Sequence, residues 1–209
     1  MAGTDGETSL RSLAGDPRAE EYVEDVLPWV HEAGCPYFDW FFGDAETART
    51  VLDSWMRRPS SEVFAGRLTL LTEGDKAIGG FIALGGAELE SCRSADTIAA
   101  IKDAGHDGLA ELRERLQAGR ELFVPVGHDD FYLSKIGVLP EFRGRRHGTA
   151  LLQRYLADGE EAGFRRFRLE VWSGNSAAIG FYRDFGFEVV AESTSPGAGL
   201  TYVSMLREH

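Results

Sequence analysis

The sequence predicts an α/β chain (α+β in stricter usage): a central mixed, twisted sheet flanked by helices, with a helical insertion between the third and fourth strands. Three observations predict it. Apolar residues recur at helical spacing in some segments and alternate in others. The segments follow one another as strand, two helices, hairpin, helical stretch, strand, helix, strand, helix and closing hairpin, an order that calls for one mixed sheet with helices on its faces. The chain's 209 residues are 43% hydrophobic, which is enough for one full core.

Residues 1–7 are small and polar and predict a mobile tail, leaving 8–209 as a single domain. "TSLRSLA" (8–14) alternates as a first strand. "DPRAEEYVEDVLPWVHEAG" (16–34) predicts a helix capped by Asp16, with Pro17 at the first helical position, a kink at Pro28 and a stop at Gly34. The aromatic-rich connection "CPYFDWFFG" (35–43) leads to a second helix over 44–59, capped by Asp44 and ended by Pro59. Residues 62–86 read as strands around a turn at Glu73-Gly74-Asp75-Lys76. Two short helical patterns with glycine stops fill 87–122. Then come a strand (130–140), a helix (145–163), a strand (164–172), a short helix capped by Asn175 (175–186) and a hairpin (187–194 with 200–208).

Charge and cysteine content narrow the function classes. The formal net charge is -12, the wrong sign for a generic nucleic-acid surface. Such a surface promotes solubility, and in a sharper reading it favours a cationic substrate. Cys35 and Cys92 alone provide neither a disulfide framework nor a metal-ligand spacing, so no metal is expected and a reducing compartment is. The start "MAGTDGETSL" lacks the basic residues and apolar run of a signal peptide, and no apolar stretch reaches membrane-spanning length. The expectation is a cytoplasmic protein with no membrane partner.

Against this acidic background, "EFRGRRHG" places Arg143, Arg145 and Arg146 with Gly144 and Gly148 at a helix start. Unpaired N–H groups and the helix dipole favour an anion there, and glycines let the backbone approach it. The segment reads either as a phosphate cradle or as a solvated arginine face. It is neither a P-loop nor a dinucleotide fingerprint.

"IGVLPEFRGRRHGTALL" and "NSAAIGFYRDFGF" together resemble the two acyl-CoA segments of the GCN5-related N-acetyltransferase (GNAT) family, Q/R-x-x-G-x-G/A and N-x-x-A-x-x-F-Y-x-x-x-G-F. The resemblance is strong over 130–193 and departs from the family over 87–122, where a direct strand hairpin is usual. It implies a GNAT-like domain that transfers an acetyl group from acetyl-CoA to an amine. The donor would then be held by Ile136, Gly137, Val138, Arg143, Gly144, Arg145, Arg146, His147, Gly148, Thr149 and Asn175. Arg146 stands where the family pattern has its middle glycine. With ordinary helical dihedrals it would still offer its N–H, and its guanidinium would lie beside a phosphate. The resemblance also admits a homodimer.

Direct attack on a thioester needs a neutral amine, a polarised carbonyl, alignment of the two, and a proton for the leaving thiolate. The resemblance gives the acid role to Tyr182, a phenol with pKa near 10; without it Tyr182 reads as a packed helix aromatic. The base is open. The family's strand glutamate falls nearest Tyr132, followed by Ser134 and Lys135. Asp129, Asp130 or a carboxylate from the insertion acting through water are the alternatives, whereas His128 and His147 read as surface residues. Trp172 reads as a core residue. By analogy, the 35–43 connection lines the acceptor mouth, with Tyr37 and Trp40 as an aromatic wall and Asp39 as a carboxylate for a cationic small-molecule amine. The same aromatics read equally as packing. The insertion, with Glu88, Glu90 and Asp96, would close the mouth as a lid. Two other functions stay open: acyl transfer from an acyl carrier protein, with Arg146 on its phosphopantetheine, and a non-catalytic acyl-CoA sensor.

Overall fold

A computed structural model describes residues 7–209, so the predicted tail lies outside the described residues except for Glu7. The strands are β1 (Thr8–Ser12), β2 (Leu68–Glu73), β3 (Lys76–Gly85), β4 (Asp130–Val138), β5 (Arg166–Trp172), β6 (Glu188–Ser195) and β7 (Leu200–Glu208). The helices are α1 (Val23–Gly34), α2 (Tyr37–Phe42), α3 (Ala45–Met56), α4 (Gly86–Arg120), α5 (His147–Glu161) and α6 (Ser176–Asp184). The strands form one sheet in the order β1-β2-β3-β4-β5-β7-β6, parallel only at β4–β5.

Local signals placed several elements. Asp44 Oδ1 accepts from Thr47 N–H at 2.8 Å and starts α3, and Asn175 Oδ1 accepts from Ala178 N–H at 3.0 Å and starts α6. Four expectations need correction. Asp16 caps only a tight turn, accepting from Arg18 N–H at 2.9 Å, and the α-helix begins later, at Val23. Pro28 does not interrupt α1, which runs through it to Gly34. Residues 35–43 are a connection in the prediction, but Tyr37–Phe42 makes a turn and a half of helix. Residues 62–67 are loop and 3-10 turn, held by Arg67, whose Nη1 donates to the carbonyls of Pro59 and Ser61.

The insertion between β3 and β4 is one long helical excursion. It breaks at Gly105, whose φ of 59° and ψ of -168° belong to a glycine-only region. β3 and β4 still pair as antiparallel neighbours, so α4 is a detour from an intact hairpin.

Two features of β4 set up the site. Ile82 pairs with Lys135 and Ala83 with Leu133, which leaves Ser134 as an extra residue, a β-bulge. β5 pairs with β4 only at Asp130–Arg166, Phe131–Phe167 and Tyr132–Arg168. Beyond Tyr132 the two strands splay, and residues 134–137 of this central strand stay half-exposed as a result. The bulge bends the strand where pairing ends.

Each face of the sheet carries its own core. On one, α1 and α3 bury Val26, Trp29, Leu52 and Met56 against Leu68, Leu70 and Ile82. On the other, α5 and α6 bury Leu151, Leu152, Tyr155 and Tyr182 against Leu133, Phe167, Leu169 and Met205. Trp29 lies directly over Gly137, where a Cβ would sit 2.9 Å from its ring, so only glycine admits this approach of α1 to the sheet.

Candidate active site

The splay between β4 and β5 has a backbone cradle at its mouth and a polar network behind it. The cradle grows from the end of β4. Leu139 N–H bonds to the Ile78 carbonyl at 2.8 Å, a 3-10 turn follows at Pro140–Phe142, and buried Phe142 pins the loop. Gly144 (φ 79°) and Arg146 (φ 63°) are both left-handed. This corrects the expectation of ordinary dihedrals at Arg146: a non-glycine residue holds the conformation the glycine would take, at a cost of about 1–2 kcal/mol. Among the described residues, the N–H groups of Gly144 through Thr149 have no partner within the chain. Six consecutive donors at a helix N-terminus, all on residues half-exposed or better, make a ready anion site.

The arginines behave differently from one another. Arg143 turns back: its Nε donates to the Val138 carbonyl at 2.8 Å and its Nη2 pairs with Glu32 at 2.6 Å. Arg145 lies 3.7 Å from Glu73. Arg146 forms no ion pair among the described residues. His147 keeps a buried, unpartnered Nε2. Gly148 faces α6, and a Cβ there would meet Phe181 at 3.7 Å, an ordinary contact. The starts of α5 and α6 therefore flank the splay. Tyr182 is buried beside Phe181 and Phe187, burial pushes its phenol up from the ordinary value, and no described group bonds its hydroxyl. Trp172, expected in the core, is 40% exposed at the end of β5.

On the opposite face, the gap is backed by charged side chains, of which the sequence singled out only Lys135. Glu62, from the loop before β2, accepts from Ser134 Oγ at 2.6 Å and pairs with Arg93 of α4 at 3.0 Å and with Lys135 at 3.7 Å. Burial opposes ionisation of Glu62, yet Arg93, Lys135 and Ser134 outweigh it and hold its carboxyl at about 2. Arg93 Nη2 also donates to Tyr132 Oη at 3.0 Å. Glu170 stands on β5 two residues past the last β4–β5 pair. Its Oε1 accepts from Ser204 Oγ at 3.3 Å, and its buried Oε2 has no hydrogen-bond partner. Burial pushes the Glu170 carboxyl up, against the pull of Tyr132, Arg93 and Arg168. The two buried carboxylates are thus shifted in opposite directions.

Asp130 is not free to act as a base. It is buried at the start of β4, accepting from Arg166 Nε and Gly127 N–H, both at 2.8 Å. Tyr37 joins the network: it stacks on Phe41, meets Phe123 edge-on at 5.0 Å between centroids, and lies beside Gly119 of α4. Trp40 lies 5.8 Å from Tyr37. Asp39 turns the other way, toward α1, where its Oδ1 is 2.7 Å from His31 Nε2. The three acids of the expected lid are engaged: Glu88 by Arg67, Glu90 by His128, and Asp96 by Arg58 and the Glu62 N–H. Arg115 of α4 donates to the Phe41 carbonyl at 2.9 Å. α4 therefore covers the network as a fixed wall. Its C-terminal half and the β6–β7 turn line a cleft through Arg113, Gln117, Glu121 and Pro196.

No spacing rule would have found Glu62 or Arg93, which meet from distant segments. Glu170 left a trace: it is the one acid on an arginine-rich face of "FRRFRLEVW".

Among the described residues, no helix is long and apolar enough to cross a membrane. No curated protein sequence matches the chain. Solved structures share its fold at low identity. An N-acetyltransferase from Staphylococcus aureus Mu50 superposes with TM-score 0.68 at 17% identity, covering 95% of this chain and 99% of that one. PaiA N-acetyltransferase from Thermoplasma acidophilum, solved in complex with coenzyme A, gives 0.55 at 15% (97% and 99%). The ribosomal-protein-S18-alanine N-acetyltransferase from Escherichia coli gives 0.53 at 16% (97% and 94%). The profile of the acetyltransferase (GNAT) family matches residues 30–187, and with most of its length matched, the chain belongs to that family.

Proposed function

We propose that the protein transfers the acetyl group of acetyl-CoA to the amine of a small molecule by direct attack within the β4–β5 splay. The observation that carries this reading is the junction itself. Six unpartnered N–H groups lie at its mouth, a buried phenol flanks it on the α5–α6 face, and a buried carboxylate with a free oxygen stands on the other face.

In this reading the donor's pyrophosphate lies on the N–H groups of Gly144–Thr149, with Arg145, Arg146 and His147 around it and Asn175 at the head of α6. Its pantetheine arm runs along the open edge of β4 at Ile136–Val138. An N–H of that edge polarises the thioester carbonyl, and the raised pKa of Tyr182 keeps its proton available for the leaving thiolate.

Glu170 takes the role of base. A carboxylate held at about 2, as in Glu62, is too weak a base for an ammonium, whereas burial brings Glu170 closer to working pH. Glu62 with Arg93 and Lys135 then fixes the wall. The acceptor enters from the α4 side past Tyr37 and Trp40; Asp39, turned toward His31, adds its charge to the mouth only at a distance. A sensor that only binds acyl-CoA has no use for Glu170 and Tyr182 on either side of the reacting position. Mass spectrometry of the protein with acetyl-CoA and a panel of small amines tests the reading. Acetylated amine, lost in Tyr182→Phe and Glu170→Gln, is expected. CoA binding without product from any amine would favour the sensor, and product only from an acylated carrier protein would change the donor.

A further inference from the structure

We infer that His31, Cys35 and Asp39 form a binding site for a divalent transition-metal ion of the zinc class at the junction of α1 and α2. Two sets of four-residue spacing, carried through the turn at Pro36, bring an imidazole, a thiol and a carboxylate to one point. Each offers a ligand atom within 4.8 Å of the other two. Cysteine spacing alone does not reveal this site, because its three donors are of three different kinds.

The distances fit an ion. His31 Nε2 lies 3.6 Å from Cys35 Sγ. Tetrahedral bonds of about 2.05 Å to nitrogen and 2.3 Å to sulfur separate the two ligand atoms by about 3.5 Å. The His31 Nε2–Asp39 Oδ1 separation of 2.7 Å is that of a shared proton. Replacing the proton by an ion opens it to roughly 3.3 Å, which a side chain as exposed as Asp39 (41%) accommodates by rotation. His31 is buried and fixed at 5% exposure, so the site is half-formed before the ion arrives.

The Cys35 and Asp39 side opens to solvent, which gives access and leaves a fourth position for water. Cys35 Sγ lies 3.6 Å from His31 Nε2 and 4.0 Å from Nδ1, so the thiol sits nearer the nitrogen that Asp39 holds, and a turn of its side chain brings it in line with that nitrogen. They converge as ligands do. Arg49 of α3 is within electrostatic reach of Cys35 and disfavours ions held by charge alone, such as calcium or magnesium. An ion that bonds to thiolate is selected. As the metal–sulfur bond forms, the Cys35 S–H bond breaks and its proton leaves to solvent; the ion also displaces the proton shared between His31 Nε2 and Asp39, and through exchange with solvent the neutral ring then carries its one proton on Nδ1. The ion would take the carboxylate that the acceptor reading offers to a cationic amine, so the inference stands apart from that reading, and its test measures metal rather than turnover.

The full chain, stripped with a chelator and checked for folding by thermal melting, is titrated with Co(II) and then with Zn(II). One equivalent of Co(II) should give intense tetrahedral d–d bands and a thiolate-to-cobalt charge-transfer band, both bleached by one equivalent of Zn(II). Cys35→Ser should abolish the charge-transfer band and weaken Zn(II) binding at least about tenfold, the lower scale for loss of a group that supports a metal site. His31→Gln should weaken it similarly, with Asp39→Asn read in its place if that variant does not fold. Cys92→Ser should leave both signals intact. Absence of the charge-transfer band, or equal Zn(II) affinity in wild type and Cys35→Ser, would overturn the site.

Discussion

The two faces of the splay are built by opposite means. Under the proposed function, the donor face is one continuous stretch of chain, residues 136–149, and what it offers is mostly backbone: unpartnered N–H groups on a strained loop. The acceptor face draws Glu62, Arg93, Ser134, Lys135 and Glu170 from four separate segments, and apart from Glu170 Oε2 its carboxylate oxygens are engaged. A backbone site holds whatever anion fits its curvature and tolerates side-chain change. A side-chain network fixes one constellation and fails when a member is lost. The donor half is therefore suited to a common substrate and the acceptor half to a particular one.

The comparison breaks most visibly at the chemistry between the faces. Tyr182→Phe should lower kcat by roughly 10²–10⁴ with donor KM little changed, since the ring and its packing remain. Steady-state kinetics with chemistry shown to limit turnover checks this, and an unaltered kcat removes Tyr182 from the acid role. Glu170→Gln should cost about 10² in kcat. In the wild type, only the ionised carboxylate accepts a proton, so kcat/KM should fall as pH drops through the raised Glu170 pKa, above the ordinary value of 4.5. A limb that stays put in Glu170→Gln points to a different base.

Glu62 should respond as structure. Its carboxyl is depressed to about 2, so its stabilisation is present above the ordinary value of 4.5 and is lost as pH falls toward 2. Glu62→Gln leaves Arg93 and Lys135 without their counter-charge, and denaturant melts at neutral pH should show a loss of about 3 kcal/mol. The variant should lack the wild type's acid-induced decline attributable to this group.

On the donor face the effects should be smaller. Gly148→Val should fold, because the first atom added meets only an ordinary contact with Phe181, and it should weaken CoA binding in calorimetry about tenfold by crowding the cradle. Unchanged affinity would put the cradle elsewhere. Least of all, Asp39→Asn should raise acceptor KM a few-fold (roughly 1 kcal/mol for an exposed charge) with donor affinity unchanged. Deleting the insertion would not test the lid expected of it. Leu89 and Cys92 of α4 are core, packed with Leu84 and Tyr132, and their loss would unfold the site.

The proposed donor face could be named from the sequence because its information is local. The Arg143–Gly148 segment, the Asn175 cap and Tyr182 lie within two short runs, and helix signals at Asp44 and Asn175 need only three neighbours. The acceptor face was not legible, because Glu62 lies 31 residues from Arg93 and 72 from Ser134, and nothing in a spacing rule links them. Local rules also misplaced Pro28, since tertiary packing of Val26, Trp29 and Val30 carries α1 past the one hydrogen bond that proline removes. The splay was invisible for a different reason. It is a missing pairing, and sequence patterns report where a strand lies but not where its neighbour leaves it.

Arg146 carries a last consequence. Glycine at this position would relieve about 1–2 kcal/mol of left-handed strain but would add about 0.5–1 kcal/mol of freedom to the unfolded chain. The net favours glycine by about 0–1.5 kcal/mol, a cost that the fold bears with arginine in place. What the turn requires at residue 146 is an angle, and two quite different letters can write it. A template stated in dihedrals would recognise this loop where a template stated in glycines passes it by.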